Sequence, residues 1–513
     1  SALLANNVRL VGRSFKYHRP RGIFTAGSEE PNALVELRTG ARREPNTRAP
    51  AIDLYDGLEA ASQNRWPSLS FDLLSANQLV SPILGAGFYY KTFMWPAARW
   101  EKLYEPFIRR AAGLGRAADA PDPDHYEKSS AFCDVLVIGS GAAGLAAALA
   151  AGRSGARVIL AEEDFRLGGR LLSERTAIDD KPALDFVAAA EAELATLPNV
   201  RVMTRTTVFG AYDGGTYGAV ERVGDHLKIP APFTPRQRLW RIVAKRAVLA
   251  AGAFDRPIVF PGNDRPGVMS AVALATYALR YGVRAGKTAA FFTNNDHAVA
   301  CALAAAEAGV KVEALIDVRP TPAPALAQKA KALGVRLMTG EVVATAGKVL
   351  SSVTVRTAKG SETLAVEALG ISGGATPNLN LTTHMGGKPV YDEALCAFVP
   401  STLPPGMVVA GAVAGQFALS DCLAGGARSG TAAAADLGFA VPDAPAPRAE
   451  ETPTGISAFW HVDAKGTAFV DFQNDVTAKD VKLAHQEGYR AVELLKRYTT
   501  LGMATDQGKN SNM

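Results

Sequence analysis

The chain has 513 residues, 48% of them hydrophobic and 20% charged, with a formal net charge of +5. That length allows about two to four domains with large cores, and a modest charge without a dominating Lys/Arg run argues against a nucleic-acid partner. The four cysteines, Cys133, Cys301, Cys396 and Cys422, show no CxxC or metal-ligand spacing and no apolar run reaches ~18 residues, so we expect a cytoplasmic chain with no metal site and no membrane partner.

Residues 1–118 mix Gly, Pro, aromatics and Arg, which suits short strands and turns. The basic run Lys16–Arg21 reads as a docking surface or solvated loop ahead of an anion site. "DAPDPDHYEKSS" (119–130) reads as a linker. The pattern then sharpens. Val135–Ile138 is an apolar strand, and Gly139, Gly141 and Gly144 follow at the GxGxxG spacing. The first glycine permits the tight turn, the second lets backbone approach a pyrophosphate, and the third lets helix and strand pack closely. A helix to about Arg153 would aim its free N–H groups at phosphates. Val158–Ala161 is the second strand. Glu162 ends it, where an acid can accept hydrogen bonds from both ribose hydroxyls. The competing reading is a Rossmann-type unit with an empty pocket. Gly168-Gly169 is a further place for close approach of backbone and ligand, residues 182–196 have helical periodicity, 200–212 read as strand, and 246–255 read as a strand ending in small residues.

A second βαβ pattern starts at Thr288 with "TAAFFT", a helix "DHAVACALAAAEAG" and the strand "KVEALID". Its turn, "TNNDHA", lacks glycine. Asn294 and Asn295 tolerate left-handed backbone, but their side chains would crowd a pyrophosphate, so this phosphate loop reads as weakened or lost and Asp317 is discounted as a ribose ligand. "GMVVAGAVAGQFALSDCLAGGARSGTAAAADLG" then supplies a strand, a turn and a long Ala-rich helix returning to the first unit. The expected fold class is α/β, with two dinucleotide-binding (Rossmann-type) domains. The expected division is 1–118, a unit of short strands and turns without cysteine; 119–287, the first nucleotide domain; 288–375, the second; 376–436, the return segment; 437–455, a linker; and 456–513, a small cysteine-free C-terminal unit.

Four stretches, "FKYHRPRGIFTAGSEEPNALVEL", "GFYYKTFMWP", "YEPFIRRAAGLG" and "LKRYTTLGMATDQGK", make the chain similar to the α subunits of heterotetrameric sarcosine oxidases. The resemblance covers essentially all of it. Such α subunits are longer and continue into a folate-binding, aminomethyltransferase-like domain, so the chain is expected to be a fragment. The resemblance implies oxidation of sarcosine to glycine with release of hydrogen peroxide, in an assembly with β, γ and δ subunits. It places FAD and a covalent FMN mainly with the β subunit, tetrahydrofolate in the absent domain, and NAD in this chain. Carried across by position, the NAD contacts are Gly139, Gly141, Ala143, Gly144, Glu162, Glu163, Asp164, Arg170, Val208, Gly411, Ala412 and Phe417, with no catalytic residue. Two local features agree. Glu162-Glu163 would repel a 2′-phosphate, and Ala412 stands where many flavoproteins place an Asp facing the flavin.

Related amine and opine dehydrogenases carry iron–sulfur domains at both ends of this arrangement, so the resemblance implies that residues 1–118 form a ferredoxin-like unit and 456–513 a small unit related to 2Fe-2S-binding domains, both without cysteine. By the same resemblance Asp471, Gln473, Asp506 and Ser511 occupy cysteine positions, and thiolates are the usual ligands, so both units are expected to persist as packing modules. Two other readings stand: an FAD-binding subunit of an opine or amino-acid dehydrogenase, and a non-enzymatic scaffold.

Overall fold

The computed structural model describes every residue except Met513 and Ala444, the latter within the stretch read as a linker. From residue 126 the chain builds a sheet of β1 (Tyr126–Ile138), β2 (Val158–Ala161), β3 (Val200–Met203), β4 (Thr206–Tyr212), β5 (Thr216–Glu221) and β6 (Gln237–Leu249), with helices α1 (Ala142–Arg153) and α2 (Ala183–Thr196). A second sheet follows: β7 (Val268–Ser270), α3 (Ala271–Leu279), β8 (Thr288–Thr293), α4 (Asp296–Glu307), β9 (Lys311–Asp317), β10 (Leu337–Thr339) and β11 (Ala368–Ser372). Then come β12 (Met407–Val409), α5 (Leu419–Ala435), α6 (Ala478–Gln486) and α7 (Val492–Thr499).

The first sheet has the order β3-β2-β1-β6-β5-β4, with β12 also paired to β6. Strands β3, β2, β1, β6 and β12 are parallel, and β4 and β5 add antiparallel strands. Val135, Leu136 and Val137 are fully buried, as a parallel strand covered on both faces must be, and each contributes roughly 1.5–3 kcal/mol by burial. Strand β1 starts well before the apolar run. Residues 126–130, expected as linker, pair with Gln237–Arg241 of β6. Their exposed, polar side chains concealed an extension that backbone hydrogen bonds hold. Against this sheet α5 crosses α1 at two glycines: a Cβ on Gly426 would stand 2.1 Å from the Ala143 carbonyl oxygen, and one on Gly430 2.3 Å from that of Ala147.

The second sheet, of order β7-β11-β8-β9-β10, is parallel throughout. Its β8 is also buried, with Phe291 and Phe292 inaccessible. By contacts the chain forms two compact units, one of residues 124–254 and 375–456, the other of 1–123, 255–374 and 457–513. The changeover thus falls at residue 255 and not at Thr288, because 255–287 supply β7 and α3, which pair with and pack on β11.

The N-terminal stretch consists of short strands, including an antiparallel trio Leu34–Leu37, Glu44–Arg48 and Ala60–Ser62. The basic run within it is not a solvated loop. Arg21 is buried and pairs with Asp264 and Asp475, Arg19 pairs with Asp264, and His18 Nδ1 lies 2.8 Å from Asp72. Three stretches far apart in sequence meet there, and no local pattern announces the partners.

Candidate functional site

The glycine turn divides its labour. Gly139 has φ +94°, and a Cβ on it would meet the Ala250 carbonyl oxygen at 2.5 Å. A Cβ on Gly144 would fall 1.9 Å from the Gly139 carbonyl oxygen. Both glycines therefore serve protein packing. Gly141 is different: its backbone is ordinary (φ −65°, ψ −174°) and a Cβ would meet nothing within 4 Å. The space beside it is open, at the start of α1, which no side chain caps. The residues present thus fit a dinucleotide: bare backbone and a helix N-terminus are what a pyrophosphate requires.

Glu162 is buried at the end of β2. Its Oε2 accepts hydrogen bonds from the Ser140 amide (2.8 Å) and hydroxyl (2.6 Å), and its Oε1 accepts one from the Asp164 amide (2.8 Å). Burial, above all, raises the pKa of this carboxyl, against the pull of those hydrogen bonds. The carboxylate thus clamps the turn to the strand end. On lone-pair count, Oε1 keeps one acceptor position for a ribose hydroxyl. Ser140 is the partner that the sequence reading missed; its only signal was a polar residue between the two glycines.

The other expected contacts differ in placement. Glu163 is exposed, and its carbonyl accepts from Arg222. Asp164 is half-buried and its carboxylate accepts from the Arg166 amide at 3.3 Å. Arg170 forms an ion pair with Glu174 at 2.8 Å. Gly168 and Gly169 fold back on the turn: the Gly168 amide donates to the Ser140 carbonyl at 3.0 Å, and a Cβ on Gly169 would stand 3.0 Å from Gly141 Cα. Val208, partly buried on β4, packs on the core of the first sheet. In the return turn Gly411 has φ +72°, and a Cβ there would lie 2.7 Å from that of Ala143. The Gly411 amide donates to Gln416 Oε1 at 2.9 Å. Ala412 and Phe417 are partly exposed in this turn. Cys422, missed in the sequence, donates its thiol to the Gln416 carbonyl at 3.0 Å, and burial pushes its pKa up to about 11.

The turn of the second sheet is filled by protein. Asn295 Oδ1 accepts from the Ala298 amide and caps α4. Asn294 Nδ2 donates to the carbonyls of Ser457 (2.7 Å) and Phe459 (3.2 Å), and the Ser457 amide donates to the Asn294 carbonyl at 3.0 Å. The chain itself crosses the position where a phosphate loop would act. Asp317 is paired with Arg319, which also binds Asp296.

Three of the four candidate cluster positions, Asp471, Gln473 and Asp506, lie together. Gln473 Oε1 accepts from the Asp506 amide at 3.2 Å, and Asp471 accepts from the amides of Asn474 and Gly502. All of Asp471, Gln473, Asp506 and Ser511 are buried. Burial first, and the charge of Asp506 second, push Asp471 up to about 7. With oxygen and amide groups here, and no cysteine before Cys133, the donors do not fit an iron–sulfur cluster. Among the described residues no group of three or more His, Cys, Asp or Glu could hold a metal ion, and no helix is long and apolar enough to cross a membrane.

Comparison with known proteins agrees with this architecture. Residues 133–433 match the family described as pyridine nucleotide-disulphide oxidoreductase. Residues 1–65 match a 2Fe-2S iron-sulfur cluster binding domain, and 465–513 a sarcosine oxidase A3 domain. Over the whole chain it is 54% identical to the sarcosine oxidase subunit alpha of Rhizobium meliloti (strain 1021), of which it covers 52%. It is 37% identical to that of Corynebacterium sp. (strain P-1), of which it covers 50%. The chain thus spans about half the length of the curated relatives it matches. The crystal structure of L-proline dehydrogenase from P. horikoshii shares the fold, with a TM-score of 0.64 and 19% identity over 99% of this chain and 85% of that one. The resemblance drawn from the four signature stretches therefore holds.

Proposed function

Since the chain belongs to the pyridine nucleotide-disulphide oxidoreductase family, we propose that its glycine turn binds NAD and that it serves as the NAD-binding α-type subunit of an assembly that oxidises sarcosine to glycine and hydrogen peroxide. The observation that carries the nucleotide reading is the open space beside Gly141, next to a buried acid at the strand end. The Gly141 backbone and the first turn of α1 would hold the pyrophosphate, and Glu162 Oε1 would accept a ribose hydroxyl. The Gly411–Phe417 turn would close the site. When bound, NAD supplies a hydride acceptor. This chain's own part is to bind and orient it, and we assign it no catalytic residue. FAD and covalent FMN belong chiefly to a β subunit in this reading, tetrahydrofolate to the half of the relatives that the chain does not span, and γ and δ subunits complete the assembly.

The second reading, an FAD-binding subunit of an opine or amino-acid dehydrogenase, is favoured by the same turn, because the ADP moiety is common to FAD and NAD. Ala412 weighs against it, as it offers a flavin no carboxylate. Denaturing the purified chain and identifying the released ligand by mass spectrometry decides between them: NAD supports the proposal, FAD replaces it, and an empty protein that binds neither on titration leaves the scaffold reading.

A further inference from the structure

From the N-terminal segment of the unit made of residues 1–123, 255–374 and 457–513, we infer that an aromatic face around Trp95 and Phe107 is the docking surface for a companion protein chain with an apolar centre and an acidic rim. The inference rests on the subunit reading above and assigns it a surface. The stretch 84–111 has two sides. Inward, Phe88 is buried, with the Tyr89 ring tilted against it (centroids 4.0 Å) and the Phe93 ring edge-on to it (6.0 Å). It is pinned by hydrogen bonds from the Ala86 amide to Asp480 (2.8 Å) and from the Gly87 amide to the Tyr498 carbonyl (3.0 Å), and by an ion pair between Lys91 and Glu487. Met94, Trp95, Leu103 and Phe107 stand exposed, Trp95 at 84% and Phe107 at 64%, and Tyr90, also exposed, stacks on Tyr498.

Side chains of this size expose on the order of several hundred Å² together, the scale at which an apolar patch marks an interaction site. Their segment is tied back to this packed part, since Trp100 meets Tyr89 (centroids 6.2 Å), Tyr104 meets Phe93 (5.5 Å), and the Tyr104 hydroxyl donates to the Trp95 carbonyl at 3.1 Å. The composition is that of an interface core, rich in Trp, Tyr, Phe and Met. Charge selects the occupant. Arg99, Lys102 and Arg110 share the segment with these aromatics, exposed and with no carboxylate partner among the described residues, and Glu101 is the one exposed acid of residues 95–111 that is likewise unpaired. A net basic rim fits an acidic one and speeds encounter with it.

The test is co-expression of the chain with the β-type companion subunit proposed above, with complex formation measured by analytical ultracentrifugation. The variants are Trp95→Asp and Phe107→Asp. Phe233→Asp, at a residue 98% exposed in the other unit, is the control, and thermal melting verifies folding of each. We expect affinity to fall at least about tenfold in both patch variants, to change less than about twofold in the control, and to weaken for wild type as salt rises. Patch variants that assemble like wild type overturn this surface and leave the subunit reading standing. A wild-type chain that does not bind the companion at all overturns both. Loss in the patch variants of a self-associated wild-type species assigns the face to a second copy, and loss of wild-type binding to anionic phospholipid vesicles assigns it to a membrane; either result overturns the companion chain.

Discussion

At the scale of single residues, three glycines at one motif spacing divide two jobs, packing for Gly139 and Gly144 and open space for a ligand at Gly141, and substitution separates them. Gly141→Ala puts a methyl group into open space on a backbone any residue adopts. Stability should stay the same or rise by up to ~1 kcal/mol, while NAD affinity, read by calorimetry, drops at least about tenfold, or ~1.4 kcal/mol. Unchanged affinity would refute the pyrophosphate site. Gly144→Ala drives a Cβ against the Gly139 carbonyl, so both folding, by ~1–3 kcal/mol, and binding should suffer. Asp471 carries a pH prediction. Its carboxyl is raised to about 7 in the folded chain, by burial and then by Asp506, and is ~3.9 when unfolded. The folded state holds the proton more tightly, so stability present at acid pH is lost as pH rises through that window, by at most ~1.4 kcal/mol per pH unit. Urea unfolding across the window should show this slope in wild type and a flatter one in Asp471→Asn; equal slopes would assign the pH dependence elsewhere.

At the scale of elements, the helix pair α1–α5 depends on Gly426, whose Cβ would strike the Ala143 carbonyl. Gly426→Val should lower stability by ~1–3 kcal/mol or more and weaken nucleotide binding with it, since Ala143 belongs to the glycine turn; a melting temperature equal to wild type would argue against this contact. Asn294→Ala removes the donors that hold Ser457 and Phe459. It should cost ~1–3 kcal/mol and speed limited proteolysis near residues 455–460, and an unchanged cleavage rate would show that the segment is held by other contacts. These elements also show what a sequence can disclose. The apolar run Val135–Ile138 at the end of β1, the helix to Arg153, the strand Val158–Ala161 and the glycine-free turn at Asn294 follow from local period and turn chemistry, and the structure has a strand, a helix, a strand and a turn at those places. Ser140 clamped by Glu162, Arg21 between Asp264 and Asp475, and Ser457 over Asn294 were invisible, because each joins residues that no local pattern relates. The strand at 126–130 was missed for another reason: its side chains face solvent, so it lacks the apolar run by which buried strands are recognised.

At the scale of the whole molecule, the match of residues 1–65 to a cluster-binding domain meets a chain whose first cysteine is Cys133. Anaerobic reconstitution with iron and sulfide should therefore leave no stoichiometric cluster, measured by metal and sulfide assay; a stable one would reverse the reading of both end units. Without companion subunits the chain should release no peroxide from sarcosine, even with FAD and FMN added, and turnover comparable to an assembled enzyme would transfer the chemistry to this chain. The interleaving of residues 1–123, 255–374 and 457–513 in one compact unit also bears on how the chain is made. At ~5–20 residues per second, on the order of tens of seconds separate emergence of the first stretch from the ribosome and synthesis of the last. Arg21 waits through that interval for Asp475, and Asn294 through about half of it for Ser457. The nascent chain thus carries an unfinished, partly apolar half-unit, the kind of species on which chaperones act, and a second unit inserted into it must fold while the first is still open.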